Sequence, residues 1–254
     1  MSWAESSTLC SKIEGLIAIG LPQRDYFEYL QPRLFFRADQ YGTAFTVDVD
    51  EKQYFVTARH LMADPRATTS IKFMHDNTWQ DLPVRLVGVG PAEVDIAVFA
   101  TDIRMSPGFI LEPTTKGMMI GQDVYFVGYP YKMWTNAGPA LAGRPCPFIK
   151  KGILSSSFDM GDGVRRLFVD AINNEGFSGG PLVFAPHGTN DFRIAGVVSK
   201  FKTERERVLD KDGIDTGMIV EYNTGFLIAY DINYVVELIR TNPIGFPIGD
   251  GSHG

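Results

Sequence analysis

Gly176-Phe177-Ser178-Gly179-Gly180-Pro181 runs directly into the apolar stretch Leu182-Val183-Phe184. Glycines at −2, +1 and +2 around a serine allow backbone angles that other residues avoid. A loop of this kind can aim several N–H groups at one point and leave the serine hydroxyl exposed. A serine nucleophile needs both, because negative charge develops on the carbonyl oxygen it attacks. The N–H groups of Gly176 and Ser178 are the candidate donors. Taken alone, the same glycines also suit a plain turn before a strand at Leu182–Phe184.

Outward from this loop, apolar segments are short, rich in Val, Ile, Phe and Tyr, and punctuated by Gly, Pro, Asn and Asp. That rhythm reads as an all-β chain. Expected strands are 44–49, 54–57, 70–73, 84–89, 96–100, 124–128, 152–158, 167–171, 182–184, 194–199, 218–220 and 225–229. Helices are expected only at the two ends. Asp231 can cap a C-terminal helix striped by Val235, Val236, Leu238 and Ile239, which Asn242-Pro243 stops. The segment 7–30 suits a helix or two, and the charge-crowded stretch Lys200–Asp215 reads as an exposed loop.

The chain has 254 residues, 24 Lys+Arg against 30 Asp+Glu, for a formal charge of −6. Such a balance gives no basic footprint for nucleic acid. No apolar run approaches the roughly 18 residues that cross a bilayer, so no membrane role is expected. Cys10 and Cys146 stand far apart, outside any CxxC or Cys/His cluster, so neither a disulfide framework nor a metal site is expected. With no leader recognisable in 1–20, a reduced, cytoplasmic location is expected. HExxH, phosphate-loop and dinucleotide-binding patterns do not occur, and no cofactor is called for.

A serine hydroxyl is a weak nucleophile and requires a base. Of four histidines, His75, His187 and His253 lie in polar stretches. His60 instead follows Tyr54-Phe55-Val56-Thr57-Ala58-Arg59, which places it just past a buried strand. A base of this kind is usually oriented by a carboxylate. Asp95 stands directly before Ile96-Ala-Val-Phe-Ala100, fixed at the mouth of another strand. Each residue has an ordinary reading by itself, as a strand-end histidine or a turn aspartate. Together they appear in the order His, Asp, Ser, one of the known chain orders of the Ser-His-Asp triad.

The sequence resembles the chymotrypsin-fold, trypsin-like serine proteases, and among them the HtrA/Deg-like bacterial peptidase domains, without a PDZ-like region. The resemblance spans roughly 42–240. It is carried by Gly42-Thr-Ala-Phe45, Val56-Thr-Ala-Arg-His60, Asp95-Ile-Ala-Val98, Gly121-Gln-Asp-Val-Tyr-Phe-Val-Gly-Tyr-Pro130, Asp170-Ala-Ile-Asn173 with Gly176-Phe-Ser-Gly-Gly-Pro-Leu182, and Gly225-Phe-Leu-Ile-Ala229. It implies two six-stranded antiparallel barrels with His60, Asp95 and Ser178 in the cleft between them, and no cofactor. The implied division is an N-terminal extension at 1–40 and a protease domain at 41–240. Within that domain the barrels fall at about 41–115 and 120–230, with a helix at 231–240 and a tail at 241–254. Ser199-Lys200-Phe201 would be the strand edge that receives a peptide by β-augmentation. Ile172 would lie at the base of the pocket for the side chain before the scissile bond, and Glu175 reads either as a residue at its rim or as a solvated loop glutamate.

Departures from the family bear on activity. Phe177 stands where trypsin-type zymogens carry the aspartate that pairs with a new N-terminus, so activation by that ion pair is not expected. Phe201 replaces a glycine common on the substrate-facing strand, a change expected to narrow or block the pocket. The leading reading is a serine endopeptidase acting on a protein or peptide substrate through an acyl-enzyme, with activity rising as His60 loses its proton. One alternative is an inactive pseudoprotease or peptide-binding module on the same fold. An esterase on an α/β fold fits less well, because that class places the base last in the chain. A further alternative has residues 1–40 dock on a regulatory protein partner or cover the cleft.

Overall fold

The computed structural model describes residues 33–106, 111–135 and 144–248. The N-terminal helices expected within 7–30 lie outside the described residues. Strands β1 (Arg33–Arg37), β2 (Tyr41–Val49), β3 (Lys52–Thr57), β4 (Ser70–His75), β5 (Thr78–Val89) and β6 (Ala97–Thr101) form one antiparallel sheet in the order β3-β2-β1-β4-β5-β6. Pairing of β3 with β6 closes it into a six-stranded barrel, with Val56 opposite Val98. Two connections are tight because their residues take left-handed angles: Asp50-Glu51 between β2 and β3, and Asp76-Asn77 between β4 and β5. Two consecutive residues at positive φ match the right-handed twist of the strands they join.

A second sheet contains β7 (Glu112–Pro113), β8 (Asp123–Gly128), β9 (Phe148–Ser156), β10 (Arg166–Asp170), β11 (Pro181–Phe184), β12 (Arg193–Leu209) and β13 (Asp215–Asp231). Its order is β11-β8-β9-β10-β13-β12-β7, and β11 also pairs with β12. Helix α1 (Asn233–Thr241) follows, preceded by Asp231, whose Oδ1 accepts the Asn233 N–H at 2.9 Å. A last strand, β14 (Phe246–Pro247), adds to β3.

The apolar runs are nearly continuous because both faces of these strands are buried. Alternate residues of β6 go to different places: Ala97 and Phe99 fill the first barrel, whereas Val98 and Ala100 join a cluster shared by both sheets and α1. In the second sheet Leu182, Ala195, Val198 and Ala229 point to an inner core with Phe126 and Phe177, while Val183, Ile194, Val197 and Tyr230 face the shared cluster. A side chain fully buried in this way contributes roughly 1.5–3 kcal/mol, so strands of four or five residues are held from two sides.

Three differences from the sequence reading have physical causes. Strand β1 falls in the stretch assigned to the extension, yet it pairs with both β2 and β4 and completes the first barrel. Strand β7 falls in the range assigned to the first barrel, where no strand was expected, and it pairs with β12. The third concerns Lys200–Asp215, which is not a loop. Strands β12 and β13 continue well past the core as a two-stranded ribbon, so the expected strands 218–220 and 225–229 are one. Charge crowding hid it, since here the charges pair across the ladder: Arg205 Nε to Glu221 Oε2 at 2.7 Å and Arg207 Nη1 to Asp215 Oδ2 at 2.7 Å. Exposed pairs of this kind are worth little. The backbone ladder therefore holds the ribbon, and the ribbon buries almost nothing.

Deleting residues 204–222 and joining Thr203 to its ladder partner Asn223 through an Asn-Gly turn should leave the fold intact. The expected thermal midpoint lies within about 4 °C of the parent, equivalent to roughly 1 kcal/mol. A collapse of the unfolding transition would show that the ribbon supports the core.

Candidate active site

Strand β3 ends at Thr57, and a short 3-10 turn, Arg59–Leu61, carries His60 out of the barrel. Arg59 ties this turn to the segment before β6: its guanidinium donates to the carbonyls of Pro91 at 3.1 Å and Ala92 at 2.6 Å, and its N–H to that of Asp95 at 3.4 Å. The carboxylate of Asp95 then meets His60 twice. Oδ1 accepts the His60 backbone N–H at 2.8 Å, and Oδ2 lies 2.6 Å from Nδ1. A third donor is the Ser199 hydroxyl, 2.5 Å from Oδ2. Burial pushes the Asp95 carboxyl up, but the hydrogen bonds and charge of His60, with the Ser199 hydroxyl, outweigh it and hold the group below the usual aspartate range. Bonding through Nδ1 leaves Nε2 of His60 facing outward, the tautomer a base requires.

The serine loop is fixed through its carbonyls. Ile172 O accepts from Lys150 Nζ, Asn173 O from Asn223 Nδ2 at 2.7 Å, Asn174 O from the Phe177 N–H at 3.4 Å, and Glu175 O from the Tyr131 N–H at 2.9 Å. Gly176 O accepts from Thr43 Oγ1 at 2.6 Å, Phe177 O from the Gly180 N–H at 2.9 Å, and Ser178 O from the Thr43 N–H at 2.9 Å. The N–H groups of Gly176 and Ser178 donate to no described residue. An oxyanion site needs donors without an internal acceptor. Gly176, at φ +99°, admits no side chain: a Cβ would stand 2.1 Å from Tyr129 O. Gly179, at φ +82°, would put one 2.1 Å from Thr43 O.

Phe177 does not deform this arrangement. It is fully buried, edge-on to Phe126 with ring centroids 5.0 Å apart, and anchors the loop in the core of the second sheet. The Ser178 hydroxyl donates to Ser199 O at 2.8 Å, and among the described residues no hydrogen bond joins it to His60. Ser199 thus touches the acid through its side chain and the serine through its carbonyl. Sequence reasoning placed Ser199 only on the peptide-binding edge. The hydroxyl carries no distinguishing sequence signal beyond its place at the end of an apolar run.

A cleft of 630 Å³ is lined by His60, Ser178, Gly176 and Glu175 together with Gln40, Tyr41, Tyr131 and Lys132. Ser199, Lys200 and Phe201 lie outside it. Beyond Val197, the edge of β12 opposite β13 meets no further strand among the described residues, and of the groups there Ser199 O already accepts the Ser178 hydroxyl. Phe201 is partly exposed on that edge and Lys200 exposed. Ile172, assigned to a pocket base, is 60% exposed, so no pocket encloses its side chain. No cluster of three potential metal ligands occurs among the described residues.

The sequence matches the family described as "Trypsin-like peptidase domain" over residues 42–188. No curated protein matches it. Among solved structures, the HtrA-type protease AlgW with a tripeptide aligns with 87% of this chain and 63% of its own, at 19% identity and a TM-score of 0.53. The serine endoprotease from Yersinia pestis covers 91% of this chain and 68% of its own, at 18% identity and a TM-score of 0.50. The Rv3671c protease in an inactive form covers 84% and 90%, at 16% identity and a TM-score of 0.51. The chain spans about three fifths of the length of the HtrA-type chains. At these identities the likeness is one of fold.

Because the folded chain lowers the Asp95 pKa, its carboxylate stabilises the fold fully above about pH 4, where an unfolded aspartate is ionised as well. That contribution is lost as pH falls through the lower folded value. The difference in thermal midpoint between wild type and Asp95→Asn should therefore be largest near neutrality and shrink on acidification below about pH 4. A difference that stays constant from pH 7 to pH 3 would contradict this assignment.

Proposed function

The chain belongs to the family of trypsin-like peptidase domains, and on that footing we propose that it is a serine endopeptidase that cleaves protein or peptide substrates through an acyl-enzyme. The observation that carries this reading is the junction of two parts. One is the Asp95 carboxylate bonded to Nδ1 and the backbone N–H of His60; the other is a serine loop whose carbonyls are satisfied while the Gly176 and Ser178 N–H groups are free. Both face one cleft.

In this mechanism Ser178 attacks the scissile carbonyl as His60 Nε2 takes the hydroxyl proton. The developing oxyanion accepts hydrogen bonds from Gly176 and Ser178 N–H. His60 then hands the proton to the leaving amine, and water, activated by the same imidazole, hydrolyses the ester. Asp95 stays ionised throughout and stabilises the imidazolium. Before attack, the Ser178 hydroxyl must turn about χ1 from Ser199 O toward His60, a single-bond rotation between staggered wells. Hydrogen bonds of this kind often tighten only once substrate is bound.

The substrate backbone adds to the free edge at Ser199–Phe201, which puts the acyl side of the substrate there and the leaving side in the cleft of Tyr41, Tyr131 and Lys132. The exposure of Ile172 favours a shallow site for the side chain before the scissile bond. The double pairing of β11 supports reading the second sheet as a second six-stranded barrel, β8-β9-β10-β13-β12-β11. The site then lies between two barrels.

A fluorophosphonate probe should label wild type, with labelling lost in both Ser178→Ala and His60→Ala, and wild type alone should digest casein. A folded wild type that resists the probe and leaves casein intact would favour the alternative, a peptide-binding module on the same fold.

A further inference from the structure

We propose that Lys150 is the positioning residue that holds the oxyanion-forming loop in its working shape, a role that rests on the serine peptidase reading above. Lys150 lies on β9, on the same side as the buried Gly152 and Leu154, where an apolar residue would be ordinary. Its ammonium makes no ion pair with any described carboxylate. Instead Nζ donates to the carbonyl of Ile172 and to Asn174 Oδ1, the latter at 2.9 Å. It stands 5.8 Å from the ring centroids of both Phe126 and Phe177, so its charge also rests over the aromatic pair that anchors the loop.

Asn174 passes this hold across the loop. Its Nδ2 donates to Tyr131 OH at 2.9 Å, and the Tyr131 N–H returns to Glu175 O at 2.9 Å. Lys150, Asn174 and Tyr131 thus clasp residues 172–175 from two sides, immediately before the Gly176 N–H. With Phe177 in the place of an aspartate, the loop has no carboxylate there that a cation could bind. Lys150 approaches from beneath and grips the loop by neutral acceptors instead. Burial lowers the Lys150 pKa, consistent with an ammonium that gave up solvent for these acceptors. A half-buried charge without a counter-ion is costly to keep, and its hydrogen bonds to the loop offset that cost.

The test compares full-length wild type, Lys150→Met, Lys150→Arg and Asn174→Ala. Readings are kcat and KM on a peptide drawn from the casein digest, thermal midpoint, and amide hydrogen exchange of residues 172–178. Lys150→Met keeps the length and loses the donors. It should lower kcat roughly tenfold to hundredfold, as a displaced but intact oxyanion site would, with KM changed less than about twofold. Exchange across 172–178 should accelerate while the thermal midpoint holds, and Lys150→Arg should recover part of kcat. An unchanged kcat with unchanged exchange would overturn the proposal, as would a rise in KM alone, the mark of a substrate contact. Should Lys150→Met fail to fold, Asn174→Ala is judged by the same readings, and unchanged kcat and exchange in that variant would overturn it. If wild type itself takes no probe and cleaves nothing, the peptidase reading fails, and the exchange comparison alone decides whether Lys150 holds the loop.

Discussion

Seven successive carbonyls, from Ile172 to Ser178, each accept a hydrogen bond, and everything the site can do depends on that arrangement. A carbonyl held to a fixed donor sets the plane of its peptide, and with it the direction of the next N–H. Pinning Glu175 O and Phe177 O therefore aims the N–H groups of Gly176 and Ser178. The donors come from many elements: β9 through Lys150, β13 through Asn223, the turn after β8 through Tyr131, and β2 through Thr43. A loop with so many unrelated anchors is preorganised, and preorganised dipoles need no rearrangement when charge develops.

Thr43 shows how the two sheets share this task. Its N–H and hydroxyl both reach the serine loop, while its carbonyl accepts Thr57 Oγ1 at 2.8 Å. Thr57 closes β3, the strand that delivers His60. The serine loop and the strand that delivers His60 are thus bonded to the same residue. Gly179 leaves that junction no slack, since any side chain there would strike Thr43 O. The shared apolar cluster behind them, with Phe45, Val56, Val98 and Val197, keeps the distance between the sheets from varying.

Strand positions, the His60–Asp95 contact and the place of Ser178 on the same cleft were legible because their signals are local: a buried run, a polar residue at its end, glycines around a serine. The same holds for α1 and its capping aspartate. What the sequence hid depends on partners far away in the chain. Nothing near Ser199 announces that its hydroxyl reaches Asp95, and nothing near Lys150 announces a carbonyl at Ile172. Strand β1 was missed because it has the length of a short connection and the charges of one, with Arg33 and Arg37 at its ends. The ribbon was missed because cross-strand charge pairs and a solvated loop have the same composition. Ile172 was assigned by counting back from the serine, and counting carries no information about which way a side chain turns.

Strand β12 has its two ends in different worlds. At Ser199 it touches the acid and the serine; ten residues later, at Leu209, it stands in solvent, a reach of about 33 Å along an extended chain. Hydrogen-bonded to β13 for most of that length, the ribbon resists bending within its plane far more than a single strand would. Its ladder is interrupted between Val198 and Lys200 and again between Phe201 and Thr203, so whatever give the ribbon has is concentrated at its base. That base is the peptide whose carbonyl holds the Ser178 hydroxyl, and the ribbon is a handle hinged where the serine is held.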